Sequence, residues 1–175
     1  MMMSALEAGG MELLVDGLRE ADMNNPKGYF EYERAKKLPK GDTQWLESAS
    51  GKAVKIISAL IEYLPSGFQY RLIFMERDLD EILASQRRML QRMDKANDGV
   101  EEDEIRSSYQ KHLAEVKSWI ANQPWITTCY ISYNDVLREP DRTFKKVAEF
   151  LNHRVDPGAM AAVVDRSLYR EQKSN

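Results

Sequence analysis

Apolar positions along the chain follow two rhythms. From Asp78 to Met93, the residues Leu79, Ile82, Leu83, Leu90 and Met93 fall close to one helical stripe. From Glu101 to Ala121, Ile105, Tyr109, Leu113, Val116 and Ile120 share another, and Ala96-Asn97-Asp98-Gly99 breaks the pattern between them. The two segments predict a helical hairpin. Short continuous apolar runs predict strands instead: Tyr70-Arg71-Leu72-Ile73-Phe74-Met75 most clearly, then 125–132 and Ala53-Val54-Lys55-Ile56-Ile57, with a shorter run at 11–15. Residues 1–8 read as a helix that stops at Gly9-Gly10. Tyr29 to Lys37 reads as an extended piece continuing into a short helix. Thr43 to Ala49 and Ser58 to Tyr63 read as short helical pieces, and so do Asn134 to Leu137, Thr143 to Leu151 and Pro157 to Val164. Strands alternating with helices predict an α/β layered domain with a mostly parallel sheet.

Composition narrows the function. The 175 residues suit a single domain over 1–175. With 25 Lys+Arg against 28 Asp+Glu, the formal charge is −3, which removes the broad electrostatic case for nucleic acid and requires any anionic ligand to meet a local positive site. No apolar run reaches the roughly 20 residues of a membrane span, and Met1-Met2-Met3-Ser4-Ala5-Leu6 has no basic leader region. The lone Cys129 sits in a run that reads as a buried strand, so a core role in a reducing cytoplasm is expected. Trp45, Trp119 and Trp125 read as core residues. The acidic stretch from Asp94 to Glu104 reads as a hairpin tip, with no spacing that would fix a metal.

In open parallel sheets ligands sit beyond the carboxyl ends of the strands, where helices begin. Glu76-Arg77-Asp78 occupies such a place. Arg77 leaves the strand, Asp78 can cap the next helix, and Ser85 lies two turns further on, so guanidinium and hydroxyl together could clamp a phosphate. The bland alternative pairs Arg77 with Asp80 or Glu81 and leaves Ser85 solvated. Arg87, Arg88 and Arg92 extend a positive face that reads as solvated. Gly51-Lys52 lacks the flanking residues of a phosphate loop and reads as a turn. Neither His112 nor His153 has a partner visible in the sequence.

The segment from Tyr70 to Ser85 resembles the sulfotransferases that use 3′-phosphoadenosine 5′-phosphosulfate (PAPS) as donor. In that family a strand ends in Arg, and a Ser eight positions later joins it on the donor's 3′-phosphate. Arg77 and Ser85 occupy those positions. Two further stretches are similar to bacterial members, Asn25-Pro26-Lys27-Gly28-Tyr29-Phe30-Glu31 and Ser132-Tyr133-Asn134-Asp135-Val136-Leu137-Arg138-Glu139-Pro140. The second is followed by Phe144 and Val147-Ala148-Glu149-Phe150-Leu151. Together they cover nearly all of the chain.

The resemblance implies a three-layer P-loop-type α/β domain that transfers a sulfuryl group from PAPS, without a metal, to a hydroxyl or amine acceptor. It implies Glu31 as base with Glu20 behind it, against a plain helix-start carboxylate, and Arg170 or Arg166 on a donor phosphate; Lys27 could approach sulfate but reads first as a solvated turn lysine. The family normally opens with a strand and a Ser/Thr/Gly-rich loop that cradles the 5′-phosphosulfate; residues 1–175 show neither, and the first residues resemble the helix that should follow that loop. The expectation is therefore a truncated domain, its first strand missing, that keeps the 3′-phosphate half of the site and whose open sheet edges favour self-association. Two alternatives stand beside it: a non-catalytic nucleotide-binding or interaction module, and a helical scaffold without a ligand.

Overall fold

Among the described residues two strands form a parallel sheet: β1, Tyr70–Glu76, and β2, Ile126–Ser132. They pair in register from Tyr70 against Ile126 to Glu76 against Ser132, so their carboxyl ends lie side by side. The computed structural model describes residues 1–18, 28–84 and 102–165. Around the strands lie α1 (Met2–Ala8), α2 (Trp45–Ser48), α3 (79–84), α4 (Glu102–Ala121), α5 (Tyr133–Arg138), α6 (Pro140–Phe150) and α7 (Pro157–Ala162). The 3-10 helices Glu33–Lys40 and Ser58–Tyr63 complete the described elements.

Both strands are apolar on both faces, as strands of a parallel sheet must be when helices cover each side. Ile73, Met75, Cys129 and Ile131 pack into one cluster with Leu6 of α1, Phe144 and Val147 of α6 and Met160 of α7. Leu72, Phe74, Ile126 and Tyr130 pack into a second with Leu38, Trp45, Ile61 and Ile120. Successive strand residues alternate between the clusters because side chains along a strand point to opposite faces. The extended segments flanking the sheet divide in the same way: Leu13 and Ala53 go to the first cluster, Leu14 and Val54 to the second.

Local chemistry sets the element ends. The Asp156 side chain accepts from the N–H groups of Gly158 (2.7 Å) and Ala159 (3.1 Å), and Pro157 opens α7. Ser132 caps α5 by accepting from the Asp135 N–H at 3.3 Å. Gly9 lets α1 approach α7 closely, since a Cβ there would lie 2.7 Å from Cγ of Met160. The helical stripe expected over α4 is realised, with Ile120 buried and Leu113 and Val116 packed on the second cluster. Arg106 of α4 pairs with Asp80 of α3 at 2.6 Å, so the two helices of the expected hairpin meet.

Some expectations need revision. The run 53–57 is not a full strand: only Ala53 bridges, in parallel, to Leu13, and Ser58 already starts a 3-10 helix. Glu33–Lys40 is a 3-10 helix with Pro39 inside it, a residue that cannot donate a backbone hydrogen bond, and Gly41 ends it in the left-handed conformation. Gly51-Lys52 is a turn, as expected, with Gly51 at φ 77° and Lys52 paired to Glu12. Trp45 is buried, and Trp119 and Trp125 pack partly buried on its cluster. Cys129 is buried, and burial pushes its thiol up, away from the reactive thiolate. Among the described residues no helix is long and apolar enough to cross a membrane.

Candidate functional site

The parallel register brings four side chains from two strand-to-helix junctions to one place. Because Glu76 pairs with Ser132, the residue that leaves β1, Arg77, lies close to the residues that leave β2, Tyr133 and Asn134. Asp78 starts α3 as expected, its carboxylate accepting from the Asp80 N–H at 2.9 Å. One turn on, Glu81 faces back toward Arg77. The Arg77 Nε donates to Glu81 Oε2 at 3.1 Å, and Asn134 Nδ2 donates to Glu81 Oε1 at 3.2 Å. The guanidinium carbon stands 4.7 Å from the centroid of the Tyr133 ring.

Glu81 is only 4% exposed, so its charge is held out of water by these donors, while the Arg77 side chain remains 26% exposed. Burial pushes the Tyr133 phenol up, Arg77 opposes that shift and Glu81 adds to it. Nearby, Lys117 of α4 pairs with Glu76 and lies over the Phe74 and Tyr130 rings.

Arg77 thus stands at the strand end where a phosphate clamp was expected, and what the structure shows there is the bland alternative, its pairing with Glu81. The two are compatible, because the pairing uses Nε and among the described residues neither Nη is hydrogen-bonded. Asp80, the other partner considered, pairs with Arg106 instead. Tyr133 and Asn134 were not legible as site residues from spacing, since only the register brings them to β1. Ser85 and Arg170, together with Glu20, Lys27, Arg87, Arg88, Arg92 and Arg166, lie outside the described residues, as does most of the acidic stretch 94–104.

Glu31 is held by a separate network. Its carboxylate is 15% exposed and takes Lys36 Nζ at 2.9 Å and Lys55 Nζ at 3.7 Å. Lys55 also donates to the Tyr29 carbonyl at 2.6 Å, and Phe30 beside it has φ 52°, an uncommon conformation for an aromatic residue. These partners share no residue with Glu81 and Tyr133, the partners of Arg77. His112, expected to stand alone, has its Nε2 2.9 Å from the Ser58 hydroxyl. His153 lies exposed in the turn after α6 with φ 57°.

Asp16 pins the Glu31 segment. Its N–H donates to the Glu31 carbonyl at 3.2 Å, and its carboxylate accepts from the N–H groups of Glu33 (2.5 Å) and Leu18 (3.1 Å). The Glu33 N–H holds the carboxyl below its ordinary value of 3.8; burial opposes this, and Leu18 and Lys36 add to it. A carboxyl lowered in the folded state contributes stability that is present above its unfolded value and lost as pH falls through the folded one. Asp16→Asn is therefore expected to shrink the loss of stability below about pH 4, read from urea midpoints across pH. Parallel midpoint curves for variant and wild type would contradict this.

Residues 29–175 match the family described as sulfotransferase domain. No curated protein and no solved structure gives a significant match.

Proposed function

The chain belongs to the sulfotransferase domain family, and from that premise we propose that its site binds PAPS and transfers the donor's sulfuryl group to a hydroxyl or amine acceptor. Arg77 grips the donor's 3′-phosphate from the end of β1, with Ser85 supplying a hydroxyl and Arg170 a second guanidinium. In the transfer, the bond from sulfur to the phosphate oxygen breaks and a new bond forms from sulfur to the acceptor oxygen or nitrogen. The acceptor proton goes to a base, for which Glu31 is the candidate, and adenosine 3′,5′-bisphosphate leaves.

One observation carries the donor reading: Arg77 has Nε tied to Glu81 and both Nη groups unbonded among the described residues, at the carboxyl end of a parallel strand. The apolar clusters on the two faces of the strands support a three-layer P-loop-type arrangement. The proposal extends to a single domain acting in the cytoplasm, with the nucleotide and the acceptor as its partners. A non-catalytic nucleotide-binding module is favoured by a different observation. Glu31 already engages Lys36 and Lys55, the contacts expected of a carboxylate that holds its own segment in place.

Calorimetric titration with adenosine 3′,5′-bisphosphate and with adenosine 5′-monophosphate tests the donor site. The wild type is expected to prefer the bisphosphate, and Arg77→Ala is expected to lose that preference. A folded wild type that does not distinguish the two nucleotides would sink the reading.

A further inference from the structure

We infer that Glu81 is a positioning residue for the nucleotide site, fixing the direction in which Arg77 presents its guanidinium. This rests on the reading of Arg77 as the 3′-phosphate ligand. A guanidinium on a flexible stem offers five donors, and a phosphate receives two of them in parallel only if the plane is set in advance. Three contacts set it here. Glu81 takes Nε at 3.1 Å, Tyr133 lies against the guanidinium at 4.7 Å, and Asn134 holds the far oxygen of Glu81 at 3.2 Å. With Nε committed inward, the Nη edge is the part that no described residue engages.

Two observations argue against a mere surface ion pair. Glu81 is 4% exposed, and a carboxylate that far out of water is costly unless its partners are fixed. Among the described residues the buried Asn134 Oδ1 has no hydrogen-bond partner, while the donor end of the same amide is on Glu81. Electrostatics alone would select against Glu81, because a negative charge next to the phosphate ligand weakens attraction for an anion.

That opposition gives a test in which positioning and charge predict different results. Glu81→Met and Glu81→Gln both remove the charge and keep the side-chain length, but only Gln retains an acceptor for Nε. The preference for adenosine 3′,5′-bisphosphate over adenosine 5′-monophosphate is measured by calorimetry, with thermal melting to confirm folding. Positioning predicts that Met loses about tenfold of the preference while Gln stays within about threefold of wild type. Equal behaviour of the two variants, whether unchanged or both tighter, would overturn the role of Glu81. Should the Met variant fail to fold, Asn134→Ala decides, with a loss of about threefold expected and an unchanged preference overturning the inference. A wild type without preference for the bisphosphate would instead bring down the reading of Arg77, and this inference with it.

Discussion

Arg77→Lys is expected to weaken binding of adenosine 3′,5′-bisphosphate about tenfold, although the substitution keeps the charge. The reason lies in how the side chain is held. Arginine divides its donors: Nε goes to the buried Glu81, and the Nη groups have no hydrogen-bond partner among the described residues. Lysine has one compact ammonium, and the Glu81 carboxylate would draw it inward, away from the ligand. It would also lose the planar contact with the Tyr133 ring. Alanine removes the charge as well, and a loss of about ten- to a hundredfold is expected, in line with about 1.5–3 kcal/mol for a hydrogen bond to a charged group. Adenosine 5′-monophosphate serves as the control, and its affinity should change little in either variant. A lysine variant that binds the bisphosphate like wild type would show that a point charge suffices and that the fork at Arg77 is irrelevant.

Phe144→Ala is expected to destabilise the fold by about 3–5 kcal/mol, the usual range for removing a large aromatic side chain from a packed core. Phe144 is 0% exposed on α6 and belongs to the cluster that contains Cys129 and Ile131 of β2 and Val136 of α5. The cavity would open beneath the helix that carries Tyr133 and Asn134, so nucleotide binding should weaken along with stability. Urea unfolding checks the first part, with a lowered midpoint at unchanged slope. Leu18→Ala is the contrasting control, since Leu18 is 72% exposed and its loss should stay within about 0.5 kcal/mol. A small effect of Phe144→Ala would mean that the space closes by collapse of α6 onto the sheet.

Periodicity reaches furthest where burial is one-sided or complete. The stripe from Ile105 to Ile120 carries its own evidence for α4, and the continuous apolar runs of β1 and β2 carry theirs, because covered strands need no polar face. At 53–57 the same kind of run misleads. Ala53 packs on one apolar cluster and Val54 and Ile56 on the other, while Ile57 is 59% exposed; the run bridges only at Ala53, because pairing depends on a neighbour that no local pattern records. His112 shows the same limit, since its partner Ser58 lies 54 positions away in sequence.

By itself the sequence determined where Arg77 would stand, because an apolar run ending in Arg-Asp before a helical stripe can only put the guanidinium at a strand-to-helix junction. It also determined the strand-and-helix alternation and the burial of Cys129. Only the tertiary structure decided what surrounds that guanidinium. The pairing of Glu76 with Ser132 brings Tyr133 and Asn134 across from another strand, and Glu81 then joins the two sides. The physical reason is range: helix and strand periodicity are set by neighbours within a few residues, whereas the direction of a charged side chain is set by partners that meet only after the sheet has formed.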